Sequence, residues 1–269
     1  MSNTINAAAN PALANELLTK ALKEEPKELA PDIVLPSDTT VNLPGGYINA
    51  TGEVIKTVEV RELNGRDEEA ISKATNLGKA IMTILNRGTV KVGDEQADER
   101  LLDQLLIGDR DAILLGILKN TFGQKVEVPA YCNGCSDQKV VQVDIDTDIK
   151  FKVLTDPVND RVFTVKGKSV EYVVKLPNGV VQKEMINNME KTSAELSTII
   201  LENTVVRIGE SPVFSKAQVQ TLSVSDRRAI IDEINHRAPG PQFDDVTVTC
   251  PNCESEVLVP INLGSLFRF

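Results

Sequence analysis

Histidine and tryptophan are almost missing from this sequence. Its 269 residues include one histidine, His236, no tryptophan, and only 4% aromatic residues. Histidine serves as the base of catalytic triads and as a ligand of most catalytic zinc sites, so one residue leaves little for either chemistry. We place His236 in the last turn of a helix, where the helix dipole favours a cation. The composition therefore makes an enzyme the least favoured class.

Long apolar segments and basic clusters are also missing. The longest apolar run is Ala112–Leu118, whereas a membrane helix needs about 20 such residues. The N-terminus lacks a basic region followed by an apolar one, so we expect no signal peptide. Acidic residues outnumber basic ones by 39 to 29, a net charge of −10, which disfavours binding to a phosphate backbone. We expect a chain kept in a cytoplasm, with neither a membrane nor a nucleic acid as partner.

The four cysteines carry the strongest signal. They form two C-x-x-C pairs, Cys132/Cys135 and Cys250/Cys253, and short strand-like segments flank each pair. Two residues between thiolates let one tight turn present both sulfurs to a metal, and two such turns complete a tetrahedral zinc site. We therefore predict a structural zinc ion held by all four cysteines at the tips of two β-hairpins. Such a site would join parts of the chain that lie 114 residues apart (250 − 135 − 1).

Other interpretations of the cysteines remain open at this point. An iron centre uses the same ligands, and the spacing does not distinguish it from zinc. The pairs are also compatible with no metal at all. A structural disulfide is disfavoured in a cytoplasm. A thioredoxin-like redox site needs one pair at the start of a helix, whereas both pairs here continue into strands.

The second half of the chain repeats the first in the same order. The matches, with their offsets, are Leu43–Gly46 with Leu176–Gly179 (133), Ile84–Gly93 with Ile200–Gly209 (116), Asp109–Ile113 with Asp226–Ile230 (117), and Cys132–Cys135 with Cys250–Cys253 (118). We interpret the jump from 133 to 116 as a loss of 17 residues from the second copy. This pattern predicts an α+β fold of two diverged tandem repeats joined by the zinc site.

Each predicted repeat contains a β-hairpin, two helices and a cysteine-tipped β-hairpin. The first hairpin of each copy is placed around a proline–glycine turn, at Pro44–Gly46 and at Pro177–Gly179, and the strand after the second turn is placed at Val180–Met185. The predicted boundaries are an N-terminal arm at 1–38, the first repeat at 39–146, the second repeat at 147–263 and an aromatic C-terminal tail at 264–269.

Two further groups of residues invite a functional interpretation. Asp109, Arg110 and Asp111 recur in part as Asp226 and Arg227. An acid–base pair is one interpretation, but acids at a helix start that complement the helix dipole are the stronger one.

The C-terminus is the second group, because it brings Phe267, Arg268 and Phe269 together. These residues either dock on the chain's own core or bind a neighbouring protein, since Phe and Arg are frequent interface anchors. We predict the second alternative, with all three as partner-binding residues.

Several segments together resemble one known family. They are Val58–Glu69, Leu105–Leu115, the two C-x-x-C pairs and the aromatic C-terminus. This set is similar to the baseplate hub proteins and hub assembly chaperones of T-even-type (T4-like) phages, over about residues 40–269. The resemblance implies a role in the virion or its assembly, no catalysis, and binding to other phage tail or baseplate proteins.

The predicted function is thus a non-catalytic, zinc-stabilised structural or assembly component of a bacteriophage tail baseplate hub. It would be located in the virion tail, or in the host cytoplasm during assembly. We allow for a homo-oligomer in the assembled tail. The alternative function is an intracellular zinc-ribbon adaptor or regulator that binds protein or nucleic acid, and the acidic net charge weighs against nucleic acid.

Overall fold

Each half of the chain folds around an antiparallel four-stranded sheet. The computed structural model describes residues 39–243, 246–259 and 261–267, so the predicted arm, 1–38, lies outside the described residues. The elements of the first half, in chain order, are β1 (Thr40–Ile48), β2 (Val54–Val60), α1 (Gly65–Ser72), α2 (Leu77–Gly88), β3 (Thr89–Val92), β4 (Glu95–Gln96), α3 (Glu99–Gln104), α4 (Ile107–Phe122), β5 (Lys125–Cys132) and β6 (Asp137–Asp144).

The second half has a similar order of elements. They are β7 (Lys150–Lys152), β8 (Val162–Lys166), β9 (Glu171–Lys175), α5 (Gly179–Asn187), α6 (Ser193–Thr204), β10 (Val205–Ile208), β11 (Ser211–Pro212), α7 (Lys216–Gln220), α8 (Val224–Arg237), β12 (Gly240–Gln242), β13 (Thr247–Thr249), β14 (Glu256–Leu258) and α9 (Leu263–Leu266). The strands β7 and β12 and the helix α9 are additional to the order of the first half. The strand orders β1-β2-β3-β4 and β8-β9-β10-β11 have the same connectivity. In addition, β7 pairs with β12.

The described residues contain more helices per half than the two we predicted. Helix α1 ends at Ser72, and Asn76 starts α2 by accepting a hydrogen bond from the backbone of Lys79 at 2.9 Å. Asp98 starts the short helix α3 in the same way, through Leu101. Asn76 therefore divides one predicted helix, and Asp98 starts a helix that was not predicted. A capping box formed by Thr192 and Glu195 starts α6.

The predicted turn at Pro44–Gly46 is wrong. Strand β1 continues through these residues with a bulge between Asn42 and Tyr47, and the hairpin turns later, where Asn49 N–H donates to the Glu53 carbonyl at 3.0 Å. A proline and glycines suit a bulge as well as a turn, because neither a ladder N–H nor a Cβ is needed there.

The predicted strand at Val180–Met185 is also wrong, since these residues lie in α5. Asn178 is the N-cap of α5, and Asn64 has the same role in α1. These two Asn-Gly helix starts lie 114 residues apart (178 − 64). This spacing is close to the offsets of 116, 117 and 118 of the later sequence matches, so it requires no 17-residue loss.

Two buried clusters form the core. The larger cluster is built from the first half, and it also contains Val257 and Phe267 from the C-terminal segment. The smaller cluster holds the β8–β11 sheet against α6 and α8. The second cysteine hairpin, β13–β14, thus packs on the core of the first half, which brings the two C-x-x-C pairs together. Among the described residues, no helix is both long and apolar enough to cross a bilayer.

Candidate metal centre

Both C-x-x-C pairs lie in the turns of β-hairpins, as predicted. The β5–β6 ladder ends at the pair Cys132 and Asp137, and the β13–β14 ladder ends at Thr249 and Glu256. The residue after the second cysteine of each pair has a left-handed backbone: φ is 54° at Ser136 and 58° at Glu254. This uncommon conformation of non-glycine residues gives both turns the same local shape.

The four sulfurs form one cluster. All four Sγ atoms lie within 4.8 Å of one another. Cys132 Sγ is 3.5 Å from Cys253 Sγ, and Cys135 Sγ is 3.8 Å from Cys250 Sγ. A tetrahedron with Zn–S bonds of about 2.3 Å has sulfur–sulfur edges of about 3.8 Å. In each close contact the first cysteine of one pair meets the second cysteine of the other, so the two turns face each other across an approximate twofold axis.

Backbone groups around the sulfurs favour thiolates. Cys135 N–H points to Cys132 Sγ at 3.5 Å, and the N–H groups of Asn252 and Cys253 lower the pKa of Cys250. The Ser255 side chain and backbone lower the pKa of Cys253 to about 6. By contrast, hydrogen bonding with Cys253, followed by burial, raises the pKa of Cys135 to about 12. Four adjacent thiols cannot all ionise unless a cation compensates their charge.

Gly134 allows the two turns to approach. A Cβ atom at this position would lie 2.4 Å from Ser255 Oγ and 3.0 Å from Cys253 Sγ. Any other residue at the middle of the first turn would therefore push the second pair of sulfurs away. Cys132 and Cys250 are buried, Cys135 is half-buried and Cys253 is exposed. The cluster thus lies at the edge of the larger core, with one side open to solvent.

The chemistry of this donor set is structural. Four protein thiolates fill a tetrahedral coordination sphere and leave no position for a water or a substrate. Soft sulfur ligands suit zinc or iron rather than magnesium or calcium. The residues present can hold such an ion, as the sequence predicts.

The Asp-Arg pairs lie where helix starts were predicted. Asp109 and Asp226 are in the first turns of α4 and α8. Asp109 Oδ1 accepts from Gly45 N–H at 2.6 Å. Asp226 accepts from Lys168 N–H and from Tyr172 Oη, both at 3.1 Å. Each carboxylate ties a helix start to the sheet region of its own half, which is a structural role. His236 is exposed in the last turn of α8, as predicted.

The C-terminal residues are placed in part. Phe267 is 2% exposed and belongs to the larger core cluster, next to Leu266. For Phe267 the structure therefore favours docking on the chain's own core over an exposed anchor. Arg268 and Phe269 lie outside the described residues.

The structure also shows contacts that the sequence did not reveal. Arg161 donates from Nη2 to the Gly45 carbonyl at 3.2 Å and from Nε to the Pro157 carbonyl at 2.7 Å, and so holds the β1 bulge from the second half. Gln182 accepts from Arg110 Nε at 2.7 Å. Neither residue belongs to a motif. The one sequence feature that could have placed Gln182 is the Asn-Gly pair that occurs at both 64–65 and 178–179, because this pair determines where α5 begins.

The described residues form a mixed α/β fold in which four clustered cysteines could hold a metal ion. The chain matches the family model described as T4 bacteriophage base plate protein over residues 38–268. Because the match covers most of the chain, the protein belongs to this family and is a component of a phage baseplate. No curated protein and no solved structure shows a significant match.

Proposed function

We propose that Cys132, Cys135, Cys250 and Cys253 bind one structural Zn²⁺ that joins the two halves of a baseplate protein. The observation that supports this is the sulfur cluster, whose short edges are 3.5 and 3.8 Å. Replacement of the ion by Co²⁺ tests the geometry. A tetrahedral tetrathiolate site gives intense visible bands and sulfur-to-cobalt charge transfer. Weak octahedral bands would rule the site out.

A matched pair of variants sharpens this test. Gly134→Ala should distort the cobalt spectrum and weaken metal binding, since the added Cβ meets Ser255 and Cys253. Gly123→Ala is the control: at that position a Cβ meets no described atom within 4 Å. Although its positive φ of 94° makes alanine strained there, the strain lies away from the sulfurs and should lower stability without changing the spectrum.

The second part of the proposal is the role in the tail. The protein acts as a non-catalytic structural or assembly component of the baseplate hub, and it binds other tail proteins. The family match over residues 38–268 supports this, and so does a metal site without an open coordination position. Co-expression with the other baseplate proteins of the same phage, followed by purification of the complex, is the test. A protein that enters no baseplate complex would instead favour the zinc-ribbon adaptor.

The C-terminal residues offer a specific variant for that test. Deletion of residues 268–269 retains Phe267 in the core, so the truncated chain should fold and keep its metal. If Arg268 and Phe269 contact a partner, the truncation should reduce co-purification with tail proteins. Phe267→Ala is the control for folding. It removes a buried ring and should cost about 3–5 kcal/mol of stability.

The third part of the proposal is the origin of the fold. The two halves are a diverged tandem duplication. Matching contacts support it: Arg110 Nη1 donates to the Leu102 carbonyl at 2.6 Å, and Arg227 Nη1 points to the Val219 carbonyl at 3.4 Å. Both acceptors lie eight residues before the arginine. The left-handed glycines that follow β3 and β10, Gly93 and Gly209, also correspond, with φ of 58° and 54°.

A further inference from the structure

The two halves are joined by a contact between two linkers, which we call the inter-repeat joint. Residues 105–107, between α3 and α4, lie against residues 177–179, between β9 and α5. Gly179 N–H donates to the Leu105 carbonyl at 2.9 Å, and Ile107 N–H donates to the Pro177 carbonyl at 3.3 Å. The two segments form an antiparallel bridge.

Charged side chains border the joint. Lys183 of α5 forms salt bridges with Glu99 and Asp103 of α3. Beside them, Arg110 donates to Gln182. The first half thus contributes an acidic α3 and a buried arginine, and the second half contributes the N-terminal turns of α5.

Each half also carries the surface that the other half uses. Helices α3 and α7 start 117 residues apart, and so do α4 and α8. Residues 105–107 therefore correspond to 222–224 in the second half. By the offset of 114 at the N-caps Asn64 and Asn178, residues 177–179 correspond to 63–65 in the first half. A twofold joint would bury these surfaces against each other. Instead, Val224 is 68% exposed, and a Cβ on Gly65 would meet no described atom within 4 Å. The joint is therefore not twofold-symmetric. It uses residues 105–107 of the first half and 177–179 of the second half, and it leaves the corresponding surfaces at 222–224 and 63–65 exposed.

The charges on the two exposed surfaces are complementary. Lys183 corresponds to Glu69 (183 − 114), and Glu99 corresponds to Lys216 (99 + 117). Both Glu69 and Lys216 are exposed. The charge is thus reversed on both sides of the second contact, and an attractive pair remains. Asp103, the second acid that Lys183 contacts, corresponds to the neutral Gln220 (103 + 117), so the reversal applies to the Glu99 contact. Gln182 corresponds to Glu68, which would face Arg227, the counterpart of Arg110.

The glycine at the helix start gives independent support. At Gly179 a Cβ would lie 2.1 Å from Arg110 Nη1 and 2.7 Å from the Asp103 Cα, so the internal joint requires glycine. Gly65 occupies the same position in α1, yet its surroundings within the described chain are open and its φ is not positive. Glycine is a poorer helix former than alanine, and no contact among the described residues requires it at position 65. A glycine here would leave room for the close approach of a further chain.

We propose that the two exposed surfaces bind each other between copies of this chain. The 222–224 surface, with Lys216, of one copy docks on the 63–65 surface, with Glu69, of the next, and repeats the inter-repeat joint. This inference depends on the duplication proposed above. A one-directional contact of this kind forms a ring when its rotation closes and a filament when it does not.

Charge reversal in the full-length, metal-loaded protein tests the contact. Sedimentation of the wild-type chain should show concentration-dependent assembly beyond a dimer. Glu69→Lys alone and Lys216→Glu alone each place like charges opposite one another, so each should weaken assembly by about tenfold or more. The double variant, and an equimolar mixture of the two single variants, should both restore assembly, because opposite charges meet again.

Gly65→Ala separates this contact from a role in folding. The substitution should leave the monomer as stable as the wild type or slightly more stable, and it should weaken assembly. The proposal is overturned if the wild-type chain stays monomeric at all concentrations tested, or if assembly is unchanged by the single reversals. It is also overturned if the double variant and the mixture do not recover. Co-purification with other tail proteins is scored separately, so this contact can fail while the hub role holds.

Discussion

The same Asp-Arg pair occupies different environments in the two halves. In the first half Asp109 and Arg110 are both fully buried, whereas in the second half Asp226 is 8% exposed and Arg227 is half-buried. The difference arises because the second half covers the start of α4 through the inter-repeat joint, while the start of α8 stays exposed. A local motif therefore defines a helix start in both halves, and its electrostatics depend on what packs over it.

The largest expected loss of stability is at the proposed metal centre, to which both halves contribute cysteines. Cys132→Ser and Cys250→Ser should each cost about 4 kcal/mol or more, and by similar amounts, because either loss opens the same site. Denaturant unfolding with excess zinc measures both. A clear difference between the two variants would mean that the pairs act separately.

Replacing each arginine tests the difference in burial between Arg110 and Arg227. Arg110→Met should cost about 3–5 kcal/mol, because the Leu102 carbonyl, Gln182 and Asp103 lose their donor in a buried place. Arg227→Met should cost about 1–2 kcal/mol, because Arg227 is only half-buried and its hydrogen bond to the Ala194 carbonyl is exposed to solvent. Equal losses in urea unfolding would contradict the difference in burial.

The two aspartates should show opposite dependence on pH. Burial raises the pKa of Asp109 to about 6, which outweighs the hydrogen bond from Gly45 and the charge of Arg161. The unfolded chain releases this proton near pH 4, so the contribution of Asp109 to stability falls between about pH 4 and pH 6. Asp109→Asn keeps an acceptor for the Gly45 N–H but has no proton to lose. The variant should therefore not lose stability between pH 4 and pH 6, and its free energy of unfolding at neutral pH should exceed that of the wild type by up to about 3 kcal/mol.

Asp226 provides the matched control. The backbone N–H of Lys168, with Ser223 and Tyr172, lowers its pKa despite some desolvation. Its contribution to stability is therefore present at neutral pH and is lost as the pH falls through the lowered pKa. Asp226→Asn should destabilise the chain at pH 7. Stability curves from pH 3 to 8 would refute this account if both variants shifted in the same direction.

The paired glycines give the last comparison, and Gly65 gives its smallest expected effect. Gly179→Ala should cost about 2 kcal/mol, because its Cβ overlaps Arg110 and Asp103 in the joint. Gly65→Ala should stabilise an isolated monomer by about 0.5–1 kcal/mol through helix propensity. Thermal unfolding in dilute solution compares them. Similar losses would show that the space around the two helix starts is alike.

The cysteine-tipped turns could be predicted from the sequence because C-x-x-C in a turn is a local pattern. Two residues between cysteines determine how one turn presents its sulfurs, and the matching order of the halves placed the second turn opposite the first. The capping box of Thr192 and Glu195, which starts α6, is equally local. These features need no knowledge of distant contacts.

The two wrong secondary-structure predictions concern segments whose conformation depends on residues outside the segment. Pro44–Gly46 has the composition of a turn, but Asp109 and Arg161 hold it as a bulged strand. Val180 and Val181 have high strand propensity, yet the Asn178 cap and packing against α3 place them in α5. Strand or turn propensity was overridden in the first case by tertiary contacts, and in the second by the Asn178 cap together with packing against α3.

The central claim is that one metal ion links the two halves of this baseplate protein. Native mass spectrometry of the purified chain, together with elemental analysis, tests it most directly. The account predicts one zinc ion per chain in the wild type, and its loss in both Cys132→Ser and Cys250→Ser. Two zinc ions per chain, bound iron, or a fully folded chain without metal would contradict it.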